Sequence, residues 1–220
     1  MADLVWYASY GSNLLRGRFM CYIRGGKPEG SSKEYEGCSS NNPPRDDKPI
    51  IIPHELYFSK QSNTWENKAV AFIKSQRNEK ARTLGRMYLI EKQQFIEVVR
   101  QENSYNRDDS EIEIDFETAI ERGEAKISKV SWYGRIIYLG NERGYPIFTF
   151  TAKWDDDQIS PNEPGKKYLR TIIKGLKETY NLTDDEIANY LKDVDGIRGK
   201  ISELRIKKII EAINFKNSKV

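Results

Sequence analysis

The chain predicts an α+β fold, and two observations carry that expectation. Apolar segments rich in strand formers recur through the first 150 residues, and the last third changes to apolar spacing of helical period. No internal repeat or low-complexity tract interrupts the pattern. The expected architecture is a mixed β core with a few helices, closed by a helical C-terminal segment.

The elements follow in order. Residues 4 to 9 are a near-continuous apolar run, the pattern of a strand covered on both faces. Leu15, Phe19 and Ile23 recur at four-residue spacing and Gly25-Gly26 follow, so residues 13 to 24 read as a short helix with a glycine stop. Residues 27 to 49 read as a long loop of Gly, Ser, Pro, Asn and charge. Strand material recurs at 50–53, 55–59, 69–75, 83–90, 126–140 and 145–152, with a helical segment at 92–103. Tyr168, Leu169, Ile172, Ile173, Leu176 and Tyr180 share one helical face. Thr183 and Glu186 have capping-box spacing, with Leu182 and Ile187 placed to staple the helix start. A last helix, roughly 199 to 213, offers Ile201, Leu204, Ile209 and Ile213 to the core.

At 220 residues the chain can bury one sizeable core. Its formal charge of +3 comes from nearly balanced, interspersed residues, which gives no mandate for a nucleic acid or a membrane surface. The basic RIKK at 205 to 208 sits near the end of an amphipathic helix and reads as a solvated face. No apolar run approaches the roughly 20 residues of a membrane span, and no signal pattern opens the sequence, so a cytoplasmic location is expected. Cys21 and Cys38, with no CxxC and a single histidine, His54, argue against a zinc site or a disulfide framework. Any chemistry then falls to carboxylates, hydroxyls, tyrosines and backbone groups, with no metal and no cofactor.

Two places stand out. The first strand runs into Tyr10-Gly11-Ser12-Asn13 and a helix, which sets unpaired N–H donors and the positive end of a helix dipole at a glycine turn. On geometry alone a plain capped helix start is the stronger reading, ahead of an anion site. The spacing fits neither the dinucleotide fingerprint nor a P-loop, so an anion there would be small, such as a carboxylate. Ser12 as a nucleophile would need His54 as its base, but His54, between Pro53 and Glu55 at a strand start, reads as a bland, partly exposed position. In residues 92 to 103, Phe95, Val98 and Val99 share a face, and Glu102 falls in its middle while Glu97 lies nearly opposite, as a solvated glutamate does. Glu102 is either a proton-carrying carboxylate or the occupant of a frayed last turn or a salt bridge.

With these residues in view, the sequence resembles the γ-glutamylcyclotransferases. Their Tyr-Gly-Ser-Asn-Leu after an N-terminal strand stands here as Tyr10-Gly11-Ser12-Asn13-Leu14. Their acid/base glutamate, after a G-x-x-Y strand and a short helix, matches Glu102 behind Gly85-Arg86-Met87-Tyr88. Pro164-Gly165-Lys166-Lys167-Tyr168 matches a third, C-terminal motif. The chain departs from the pattern at 64–70, at Asn103 where Gly is common, and in a longer loop at 27–49.

The resemblance implies a γ-glutamylcyclotransferase-like mixed β-barrel or sheet core over residues 1–180, with flanking helices and a helical extension, 181–220, packed on it. It implies intramolecular aminolysis of a γ-glutamyl compound, releasing 5-oxoproline and an amine or amino acid. Glu102 would be the general acid/base, with Tyr10, Gly11, Ser12, Asn13, Leu14 and Tyr168 binding substrate; Tyr168 reads equally as a core tyrosine. The partner would be a small γ-glutamyl molecule, with no nucleic acid and no membrane. Two rivals keep the same pocket: a cyclotransferase acting on γ-glutamylamines or a γ-glutamyl-protected metabolite, and a catalytically silent module that binds a small carboxylate or a partner protein.

Overall fold

A computed structural model describes residues 3–29, 31, 33–104, 112–128 and 130–217, the side chains of 216 and 217 excepted. The fold is α+β. Its main sheet has six strands: β1 (Leu4–Ser9), β2 (Asp46–Ile52), β5 (Thr83–Glu91), β6 (Glu124–Lys126), β7 (Tyr133–Glu142) and β8 (Tyr145–Ala152). Their spatial order is β2-β5-β1-β8-β7-β6. The sheet is open: β2 and β6 are its edges and do not pair with each other, so of the two core forms expected, the sheet is present and the closed barrel is not. A separate hairpin joins β3 (Leu56–Ser62) to β4 (Lys68–Ile73). Thr151 Oγ1 ties it to the main sheet, donating to the Ile73 carbonyl at 2.6 Å and accepting the Ile73 N–H at 3.1 Å.

β1 is one of the two central strands, antiparallel to β5 and parallel to β8. All six of its residues are buried, as its unbroken apolar run requires. β2 begins at Asp46, earlier than the sequence suggests, because its early positions are charged and its fourth is Pro49. A proline is tolerated there since the strand has a neighbour, β5, on one side only.

Six α-helices occur among the described residues: α1 (Arg16–Arg24), α2 (Lys92–Glu102), α3 (Phe116–Arg122), α4 (Lys166–Thr179), α5 (Asp184–Lys192) and α6 (Glu203–Asn217). The first expected helix is split. Ser12–Leu14 form a single 3-10 turn, Leu15 is extended, and α1 starts after it. The capping box at Thr183 is present: Thr183 N–H donates to Glu186 Oε2 at 2.7 Å, and Glu186 N–H donates to Thr183 Oγ1 at 3.2 Å. A second one, unforeseen, starts α2 through Glu91 and Gln94.

Three expectations are corrected. Glu97 is buried, because the segment 33–45 folds over α2 and the Ser39 N–H donates to its Oε2 at 2.9 Å. Leu204 is 63% exposed; Ile201, Ile209 and Ile213 are buried as expected, and α6 adds Ile206 and Ile210 to that face in place of Leu204. His54 is buried rather than partly exposed, its Nδ1 placed 2.9 Å from the Lys74 carbonyl.

α4 lies directly against the 3-10 turn. A Cβ on Gly175 would stand 2.5 Å from the Leu14 Cβ and 2.6 Å from the Leu14 carbonyl carbon and the Leu15 nitrogen. Main-chain atoms cannot step aside as a flexible side chain does, so only glycine permits this approach. Among the described residues no helix is long and apolar enough to cross a membrane.

Two outcomes follow for stability. Gly175→Ala forces the turn and α4 apart; urea unfolding should show a loss of about 3 kcal/mol, and an unchanged midpoint would contradict the packing. His54 is the sole histidine, and burial, first, with Arg77 adding to it, holds its pKa below the usual 6.5 against the pull of the Lys74 carbonyl, Asp156 and Glu124. Its folded value lies below its unfolded one, so the unfolded chain binds the proton first, and stability drops as pH falls through the window just under 6.5. The single imidazole NMR signal should titrate with a midpoint below 6.5; a midpoint at or above that value would refute the burial argument.

Candidate active-site cavity

A cavity of about 290 Å³ opens where the end of β1, the 3-10 turn, α1, the end of α2 and the start of α4 converge. That is near the lower end of the range for small-molecule sites. Tyr10, Gly11, Ser12, Asn13, Glu102 and Tyr168 all line it. Leu14 does not: its side chain is buried under α4. Its N–H is bonded to the Gly11 carbonyl at 3.1 Å, so it is not a free donor either.

The turn is held from beneath. Tyr88, on β5, donates its hydroxyl to the Asn13 carbonyl at 2.8 Å. Gly85 lets β5 run close: a Cβ there would meet the Ser9 carbonyl oxygen at 2.9 Å. The two spaced residues of the G-x-x-Y strand thus have distinct tasks, one steric and one polar. Asn13 is buried and its Nδ2 donates 2.8 Å to Glu102 Oε1, with Tyr7 Oη at 3.4 Å on the other side. The helical phase that placed Glu102 on the apolar face of α2 therefore aims it at the turn, and it is half-buried rather than frayed into solvent.

Asn103 fixes the helix end that presents Glu102. Its Nδ2 donates to the carbonyls of Val99 and Tyr133, and its Oδ1 accepts from the N–H groups of Trp132 and Tyr133, all within 3.1 Å. A glycine could make none of these bonds.

Tyr168 is both a buried core residue and a cavity residue. Its hydroxyl accepts the Ala71 N–H at 3.1 Å and lies against the Ser12 N–H. With its acceptor sites taken, its own proton is left for an acceptor in the cavity. Burial, and after it the nearby Glu102, push the phenol well above its ordinary pKa, so it stays a donor. Tyr10, by contrast, gives its hydroxyl to the Phe150 carbonyl at 2.7 Å and contributes only its ring and backbone.

Ser12 and His54 are not brought together. Ser12 Oγ accepts from Arg18 Nε at 3.0 Å, and His54 is not among the cavity residues. Arg18 itself, with Tyr22, Tyr35 and Trp65, forms a wall that the sequence did not single out. The available signal was slight: Arg18 and Tyr22 are four residues apart on α1, beside the apolar stripe. Burial alone would favour a neutral guanidine. The Tyr22 and Tyr35 hydroxyls, with Glu102, more than offset that and raise its pKa above the usual arginine range. Among the described residues no group of three or more His, Cys, Asp or Glu could hold a metal ion.

No family model matches the sequence. Over 199 residues it is 35% identical to Histone deacetylase 5 of Arabidopsis thaliana, a match that takes in 85% of this chain and 30% of that protein. Among solved structures it is similar to a gamma-glutamyl cyclotransferase, at 15% identity and a TM-score of 0.47, over 96% of this chain and 99% of the other. It is similar to an uncharacterised protein from Homo sapiens at 16% identity and the same TM-score, over 95% and 99%.

Proposed function

We propose that the cavity carries out intramolecular aminolysis of a γ-glutamyl compound, closing 5-oxoproline and expelling an amine or amino acid. The observation that carries this reading is the pairing of Glu102 with Asn13: one carboxylate, held 2.8 Å from the turn's amide, in a cavity shared with Gly11, Ser12 and Tyr168. The Tyr-Gly-Ser-Asn-Leu and G-x-x-Y resemblances favour the same reaction.

In this scheme Glu102 accepts a proton from the substrate's α-ammonium, freeing the amine lone pair. The nitrogen attacks the γ-carbonyl within the same molecule, and the carbonyl oxygen takes up negative charge. The Tyr168 O–H and the turn N–H groups of residues 11 and 13 stabilise that charge. Collapse of the intermediate breaks the bond to the leaving nitrogen, which receives the first proton back from Glu102; the carboxylate so regenerated takes the second proton from the ring nitrogen and passes it to the departing amine or to water. Each atom of the ring comes from one substrate, so orientation replaces an enzyme nucleophile; closures of this kind reach effective molarities on the order of 10⁵ M or more. A cavity without an imidazole is sufficient for such chemistry.

Glu102→Gln keeps the shape of the side chain and removes its basicity. Mass-spectrometric detection of 5-oxoproline from a panel of γ-glutamyl donors should then fall by about 10²-fold or more. Release at the wild-type rate would sink the mechanism, and an inactive wild type that still binds a donor would favour the silent-module reading. Tyr168→Phe should lower kcat by about 10²-fold with KM little changed, since the lost hydrogen bond matters at the oxyanion. A change confined to KM would instead make Tyr168 a ground-state contact.

A further inference from the structure

Arg18, Arg86, Arg100 and Arg135 are the buried arginines among the described residues. Three are neutralised by the protein: Arg86 by Asp47 and Glu178, Arg100 by Glu36, and Arg135 by Glu124 and Asp155. Arg18 is different. Its partners are neutral: Ser12 Oγ at 3.0 Å from Nε, Tyr35 Oη at 2.6 Å from Nη2, and the Trp65 ring with its centroid 4.7 Å from the guanidinium carbon. Among the described residues no carboxylate lies within 4 Å of it, and its Nη1 has no protein acceptor. A charge taken out of water with no carboxylate in contact with it is costly to hold, which is a strong reason for an anion to arrive with the ligand.

Lys33 reinforces the point. It lines the same cavity, with Nζ 3.5 Å from Ser104 Oγ and 5.0 Å from the centre of the Tyr35 ring, and among the described residues it too has no carboxylate partner. Among the described residues the cavity therefore holds two cations against one carboxylate, Glu102. Ser12 and Asn13, adjacent in the turn, divide it: Ser12 faces Arg18, and Asn13 faces Glu102.

We propose that Arg18, backed by Lys33, is an anion subsite that selects γ-glutamyl compounds whose leaving group itself carries a carboxylate, and discriminates against γ-glutamylamines. The inference rests on the aminolysis reading above. The γ-glutamyl part brings one ammonium and one carboxylate and is neutral as a whole. A carboxylate on the leaving group supplies the missing negative charge, and a guanidinium fork is the geometry that recognises it. The residue set that performs ring closure is thus indifferent to the leaving group, while the wall opposite reads its charge.

The test compares γ-glutamylalanine with γ-glutamylethylamide, which differ only in that carboxylate. Wild type should prefer the first at least tenfold in kcat/KM, mainly through KM, and Arg18→Met should collapse the ratio toward one. Equal use of both by wild type overturns the proposal, as does a ratio that survives in a folded Arg18→Met variant. Should that variant fail to fold, Lys33→Met, at a partly exposed site, decides: it lowers the wild-type ratio if the subsite exists, and an undiminished ratio overturns it. Should neither compound yield 5-oxoproline, the aminolysis reading fails on its own. Calorimetric titration of wild type with the two compounds then judges the subsite: at least tenfold tighter binding of γ-glutamylalanine upholds it, and equal or absent binding overturns it.

Discussion

The hydrogen bond from Asn13 to Glu102 is the constraint around which the cavity is arranged. It joins the end of the first strand to the end of a helix 89 residues later. Each partner is secured from behind. Tyr88 holds the Asn13 carbonyl, and the four bonds of Asn103 hold the last turn of α2. A carboxylate on a loop would need to be ordered at the moment of reaction; here the ordering is completed on folding, which is the condition under which aimed dipoles accelerate a reaction.

The polar floor sits on an aromatic layer. Tyr7 stacks on Phe150 with ring centroids 5.3 Å apart, Phe19 stacks on Tyr88 at 4.0 Å, and Phe95 packs edge-on to Tyr7. These rings come from β1, β5, β8, α1 and α2, so four of the elements that carry cavity residues, β1, β8, α1 and α2, share one packed surface. Such contacts add roughly 0.5–1.5 kcal/mol each beyond burial. More important here, they fix relative positions, because interiors packed at crystal density do not deform continuously.

Much of this was legible in the sequence because it is local. The apolar run at 4–9 and the phase of Phe95, Val98 and Val99 report which faces are buried, and Glu102 betrays itself by interrupting one of them. What the sequence hid depends on distant cover. Glu97 reads as solvated until the segment 33–45 is laid across α2, and its burial is then satisfied by a backbone N–H that no periodicity could announce. Leu204 was misplaced because α6 starts two residues beyond Ile201, so the step from Ile201 to Leu204 is not a helical one. Arg18 escaped notice because an arginine on a short helix ordinarily points to water. Its significance appears only when Tyr35 and Trp65, from two other segments, enclose it.

The approach of α4 to the turn at Gly175 has a consequence for how the chain is made. β1 emerges first, yet its parallel neighbour β8 ends at residue 152, and the helix that seats the turn reaches position 175 later still. During synthesis the first strand must wait, its edge unsatisfied, for nearly the whole of the remaining core. Pairings so distant in sequence are slow to form. No N-terminal fragment can therefore hold the cavity in working shape, however much of the motif it contains. The site is among the last things that this chain can finish.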